Sequence, residues 1–258
     1  DMASMWLVLA FALLVTLLMR YVLMGVTDPE NSKILYILPL TCIFLIPTLH
    51  RTIMPERFVE HYGGGTWFKA AFLHTFTFLA LSFLLVNPPF GDIAAPELAK
   101  SWTVIADDDE QIEYPFDVST KGTELTWHTN GTTTLQGDAW LLFGLMDNKN
   151  SDGATVNVTR TYQGDETGRE VNTSYYIDNL EAIKNGTSSS NDSSPNLTPH
   201  GDQDQPFAIF LGTDLGEGTH EITVVITEDG DPWENVQTYH WTLKIVNASP
   251  FDQDSISE

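Results

Sequence analysis

The sequence predicts a two-part protein: a membrane part of three transmembrane helices, followed by an extracellular, antiparallel β-sandwich. Three observations predict it. Of 35 Asp+Glu and 12 Lys+Arg, residues 1–99 hold only 7 and 5, so residues 100–258 carry nearly all of the net charge of −23. Three long apolar runs are confined to the first part. Beyond residue 110 the apolar residues alternate with polar ones at period two, the signature of a strand with one dry face.

The first run, residues 5–25 (MWLVLAFALLVTLLMRYVLMG), is long enough for the ~30 Å hydrocarbon core, which takes about 20 apolar residues. No basic segment precedes it and no small-x-small site follows it, so it reads as a retained span rather than a cleaved leader. The second, residues 34–49 (ILYILPLTCIFLIPTL), has 16 residues and contains Pro39 and Pro47. It reads as a kinked span, with a re-entrant segment as the alternative, because neighbouring helices can satisfy carbonyls that proline frees. The third, residues 67–86 (WFKAAFLHTFTFLALSFLLV), again meets the length. The expected organisation is therefore a membrane domain over 1–88, with spans at about 5–26, 34–50 and 67–86. A Pro-rich juncture (89–100) that holds the following domain at a defined angle comes next, then the sandwich (101–248) and an acidic tail (249–258).

Two signals orient the chain. The loop after the second run holds Arg51 and Arg57, with Lys69 just beyond, whereas the loop after the first holds Asp28, Glu30 and one Lys. The Lys/Arg-rich loop belongs in the cytoplasm. The N-terminus is then cytoplasmic and the polar part extracellular, at the cell membrane. N-glycosylation sequons agree: Asn130, Asn157, Asn172, Asn185, Asn191, Asn196 and Asn247 all lie in the polar part. Its composition would give about two by chance. Arg20 and His74 are the ionisable groups inside the runs, and an intramembrane ionisable group is a functional candidate. The plainer expectation is that Arg20 snorkels to the outer interface and pairs with Asp28 or Glu30, and that His74 is a helix-contact residue.

In the polar part, strands are expected at 102–106, 111–118, 123–128, 132–135, 139–145, 154–162, 172–177, 207–212, 219–227 and 237–246. The segment 139–145 (AWLLFGL) is apolar on both faces and should be central. In 154–162, Asn157 alternates with Val156 and Val158, so a glycan on it would sit on the wet face. The Ser/Asn/Asp-rich stretch 180–205 reads as an extended, glycan-shielded loop. Residues 218–248 (GTHEITVVITEDGDPWENVQTYHWTLKIVNA) look like the final hairpin of an immunoglobulin-like domain, and this resemblance implies an immunoglobulin-like sandwich. The one Cys, Cys42, is in an apolar run, so the domain has no disulfide and lacks the Cys…Trp…Cys pattern of true immunoglobulin domains. The acidic, Lys-poor, sequon-rich composition resembles archaeal surface glycoproteins, particularly salt-adapted ones.

The sequence carries little chemistry. A pI near 4.3 argues against nucleic acid as a partner, because phosphate binding needs clustered Lys/Arg. The His residues are scattered, and the lone Cys, in an apolar span, excludes a cupredoxin-type copper site. No G-x-S-x-G, S-x-x-K or Walker motif is present, so no enzyme is expected. The run Asn148-Lys149-Asn150-Ser151-Asp152-Gly153 fits the front of a calcium loop, yet its twelfth position is Thr159 rather than Glu. It reads as a hairpin turn, with Asn148, Asn150 and Asp152 as Ca²⁺ ligands in the alternative; no other cofactor is expected. The acidic runs 107–110 and 228–231 read as solvated turns. The expected function is that of a membrane-anchored cell-surface glycoprotein with a structural or interaction role. Its expected partners are the lipid bilayer, N-linked glycans, and either its own copies or another membrane or surface protein. The alternatives are an accessory subunit of a polytopic membrane enzyme or transporter, and an extracellular ligand- or calcium-binding module.

Overall fold

The computed structural model describes residues 2–27, 32–108, 111–148, 153–190 and 192–250. The chain divides into two compact units: Asp1–Ala94 with Gly230–Glu234, and Ala95–Asp229 with Asn235–Glu258.

The first unit holds three helices long and apolar enough to cross a membrane: α1 (Met2–Val26), α2 (Lys33–Ile53) and α3 (Gly64–Val86), of 25, 21 and 23 residues. Their inward residues recur every four positions, the spacing that keeps side chains on one helix face. On α1 these are Ser4, Val8, Ala12 and Thr16; on α3 they are Ala70, His74, Phe78, Ser82 and Val86. The outward faces are large and apolar, with Trp6, Leu14, Tyr21, Phe68, Phe72, Phe76 and Phe83 all exposed. Small or polar inside and bulky apolar outside is the reverse of a soluble bundle, and it suits a hydrocarbon solvent. In α2, Pro39 lies within the helix, the turn Cys42–Leu45 tightens to 3₁₀, and Pro47 opens the last segment, Ile46–Ile53. The prolines change the helix locally, because each removes an N–H from the ladder, yet the helix still reaches spanning length.

The second unit contains two five-stranded sheets. The strands are β1 (Glu97–Asp108), β2 (Gln111–Tyr114), β3 (Glu124–His128), β4 (Thr134–Met146), β5 (Thr155–Tyr162), β6 (Asp165–Arg169), β7 (Thr187–Ser188), β8 (Gln205–Gly216), β9 (Gly218–Glu228) and β10 (Asn235–Val246). One sheet runs β7-β2-β1-β4-β8 and the other β3-β10-β9-β5-β6. Both are mixed, which corrects the expectation of a purely antiparallel fold. β3 lies parallel to β10, with Leu125 opposite Leu243, and β7 lies parallel to β2. Period-two patterning sets which face is dry but not which way a neighbouring strand runs.

The inner faces of both sheets share one core. Trp102 of β1 stacks on Trp241 of β10 with ring centroids 4.8 Å apart, and Phe143 of β4 meets Trp241 edge-on. As expected, β4 is interior. Leu141, Phe143 and Leu145 face that core, while Trp140 and Leu142 face a second one on the far side of the sheet. The second core corrects two expectations. Residues 172–177 are not a strand: Asn172 caps a short helix, α4 (Thr173–Asp178), by accepting from the Tyr175 N–H, so this stretch turns helical and buries Tyr176. Nor is 180–205 a free loop. It forms α5 (Leu180–Lys184) and β7, and it buries Ile183 and Leu197. Few apolar residues punctuate that polar stretch, but they are the ones that dock. Gly144 lets them approach, because a Cβ there would lie 2.4 Å from the Leu197 carbonyl oxygen.

Candidate functional site

The polar interior of the helical unit is the most constructed feature among the described residues of that unit. Arg20 is at its centre. Its side chain is 3% exposed and is held in a π-turn, Met19–Leu23, that interrupts α1. A π-turn widens the helix by one residue and commonly marks such sites. Nε donates to the Leu85 carbonyl at the end of α3 (2.9 Å), and Nη2 donates to the Phe90 carbonyl (3.2 Å). Nη2 also lies 2.7 Å from Oδ2 of Asp231, whose side chain is 58% exposed. Asp231 belongs to the segment Gly230–Glu234, between β9 and β10 in sequence and part of the helical unit. Its backbone pairs with Asp92 through two hydrogen bonds of 2.9 and 2.8 Å. Trp233 of the same segment donates its indole N–H to the carbonyls of Met24 and Thr27. Gly91 makes room for this arrangement, since a Cβ there would sit 2.6 Å from the Leu85 oxygen.

Asp28 and Glu30, the partners expected for Arg20, lie outside the described residues. The partner found, Asp231, comes from an acidic run that reads as a solvated turn. Nothing local in the sequence signals it, because the pairing spans 211 residues of chain. The one cue is an unpaired intramembrane cation, which demands an anion from somewhere.

A second polar cluster joins α1 to α2. His50 is fully buried. Its Nδ1 lies 2.9 Å from the Ile46 carbonyl, which can only accept, so Nδ1 carries the proton. Nε2 is then the acceptor for the Ser4 hydroxyl at 2.8 Å. Trp67 and Tyr62 pack edge-on against the ring. Sequence reasoning missed both Ser4 and His50, which sit at the margins of apolar runs where polar residues are ordinary. His74, singled out from the sequence, is fully buried on α3 and stacks on Phe11 at 5.3 Å. Its ring also interacts with the Pro39 backbone of α2. Arg20, His50 and His74 are thus turned inward, at helix contacts, rather than toward the outer faces of the helices.

Of the other expected residues, Asn130, Asn157, Asn172, Asn185, Asn196 and Asn247 are exposed, and Asn191 lies outside the described residues. Asn172 and Asn247 each use Oδ1 as an acceptor, toward the Tyr175 and Gly131 N–H groups. For the calcium alternative, Asn148 is exposed, while Asn150 and Asp152 lie outside the described residues. In the second unit, Tyr175 stacks on Trp140 at 3.8 Å and donates to Asp107 at 2.5 Å. Burial, and then the Asp107 hydrogen bond, push its phenol well above the usual tyrosine value. Asp107 is therefore a working part of the second core rather than the start of a solvated acidic run.

The chain matches no protein-family model, and no curated protein is similar to it in sequence.

Proposed function

We propose that this is a membrane-anchored cell-surface glycoprotein whose helical unit is a self-contained anchor. The acidic β domain then carries a structural or interaction role in an envelope or membrane assembly. One observation carries the reading. The buried polar residues of the spans (Ser4, Thr16, Arg20, His50, His74, Ser82) face one another's helices, whereas the outward surface is bulky and apolar. An accessory subunit built to pack on a polytopic enzyme would be expected to present small or polar residues outward, because those mediate helix association in lipid. The basic loop around Arg51 and Arg57 supports a cytoplasmic N-terminus with the β domain outside. The exposure of six sequon asparagines suits glycan acceptors on that side. The shared core of the two sheets and the long β9–β10 hairpin support an immunoglobulin-like sandwich as the finer description. No catalysis is proposed.

The accessory-subunit reading keeps one supporting observation. A groove of about 440 Å³ between α1 and α3, lined by Val8, Phe68, Ala70, Phe72 and Leu73, is wide enough for part of a partner helix. Gentle detergent extraction from native membranes, followed by sizing and mass spectrometry of what co-migrates, separates the two. A single species at the glycosylated monomer mass, or a multiple of it, is the expected result. Stoichiometric co-migration with a larger polytopic protein would replace the first reading with the second. An unglycosylated chain, by intact mass, would remove the extracellular assignment.

A further inference from the structure

Arg160 and Arg169 are the only arginines in residues 100–258, which hold 28 acidic residues. With acids so abundant, each would be expected in an ion pair. Among the described residues neither has one. They lie instead side by side on one hairpin. β5 and β6 pair with Val158 opposite Arg169 and Arg160 opposite Thr167. Val156 and Val158 point into the core, so by alternation Arg160 and Tyr162 continue the same inward row at the end of β5. Opposite them is Gly212 of β8, an edge strand, whose missing side chain leaves space beside Arg160 Nη1.

The donors there are turned inward and unanswered. Nε and Nη1 of Arg160 and Nε of Arg169 are buried without a hydrogen-bond partner. Arg169 Nη2 is held by the Thr167 hydroxyl. Two rings stand beside them, and Asp165 lies opposite Tyr162 at the end of the hairpin. Tyr162 stacks on His220 at 4.2 Å, and its hydroxyl donates to the Glu217 carbonyl. His220, 1% exposed, lies 2.8 Å through Nε2 from the Gly216 carbonyl, which fixes the proton on Nε2. Both arginines remain part-exposed, so solute can reach the pair. Burial lowers the guanidinium pKa of both, and for Arg160 the charge of Arg169 lowers it further.

We propose that Arg160 and Arg169 form an oxyanion-binding site, with Tyr162 and His220 as its neutral wall. Guanidinium groups match the paired oxygens of carboxylate, sulfate and phosphate, and such hydrogen bonds strengthen where water is partly excluded. In so acidic a domain, two clustered cations would also select this one edge for an anionic group and repel it elsewhere.

Equilibrium dialysis of the full-length protein in nanodiscs against labelled sulfate, phosphate and acetate, at fixed ionic strength in chloride, tests it. One oxyanion per chain is expected to bind saturably, weakened at least tenfold by Arg160→Lys and abolished by Arg160→Gln/Arg169→Gln. Preference for sulfate or phosphate over acetate would identify a tetrahedral ligand, and the reverse a carboxylate. Circular dichroism of each variant shows that it is folded. No saturable binding of any of the three, or unchanged binding by the folded double variant, overturns the proposal.

Discussion

Removing the Arg20 side chain should cost far more than removing its charge partner. Arg20→Met keeps the length and apolar stem but deletes the donors to the Leu85 and Phe90 carbonyls and the contact with Asp231. A hydrogen bond to a charged group contributes about 1.5–3 kcal/mol. The two carbonyl bonds are thus the large terms, reduced by relief from burying a guanidinium. A net loss of about 2–4 kcal/mol follows. Asp231→Asn removes only the ion pair. Because Asp231 is 58% exposed, water screens that pair, and its loss should cost about 1 kcal/mol or less. Reversible unfolding in mixed micelles, read by tryptophan fluorescence, measures both. Trp233, bonded to the Met24 and Thr27 carbonyls, reports from the same place. The two variants should differ by at least about 1 kcal/mol, some fivefold in the unfolding constant. Equal costs would refute the reasoning, because they would mean that the exposed carboxylate, and not the carbonyls, holds the arginine.

Three further outcomes follow from the same structure. Gly144→Ala would place a Cβ 2.4 Å from the Leu197 oxygen, so it should destabilise the β domain by about 2 kcal/mol or more in denaturant titration. Ser4→Ala leaves His50 Nε2 buried without its donor and should cost about 1–2 kcal/mol in micelle unfolding, with Ser4→Thr less harmful. The β domain should also weaken at both pH extremes. Burial holds His220 below 6.5, so the unfolded chain takes the proton first and stability falls as pH drops below that value. Tyr175 is raised above 10.0, so the unfolded chain loses its proton first and stability falls as pH rises past it. His220→Phe should flatten the acid limb of the thermal profile, and Tyr175→Phe the alkaline limb.

The legible parts of this fold are those in which a short period decides burial. Three runs near twenty apolar residues read as spans because the hydrocarbon thickness sets their length. The doubly apolar 139–145 reads as an interior strand because both its faces must be covered. What was not legible depends on partners distant in sequence. Tyr175 and Ile177 alternate as a strand would, yet the Asn172 cap and a docking surface on Trp140 turn the segment into α4. The direction of β3 against β10 is set by how the chain crosses between sheets, and its five residues carry no trace of that.

The candidate site shows the same limit in sharper form. Arg20 was identifiable as anomalous, but its environment comes from four separated places: the π-turn, the end of α3, the turn at Phe90, and the segment at Asp231. Read locally, the acidic run 228–231 belongs to solvent, which is the right prior for acids in a turn of a domain this acidic. A cation inside an apolar run overrides that prior, because a buried guanidinium must find acceptors, and here two carbonyls and one loop carboxylate supply them. The same rule bears on Arg160 and Arg169. Inside the helical unit the chain supplies Arg20 with acceptors, whereas on the β5–β6 hairpin two cations stand without them amid 28 acids. That contrast is the reason to look for an anion from outside the chain at the second place and not at the first.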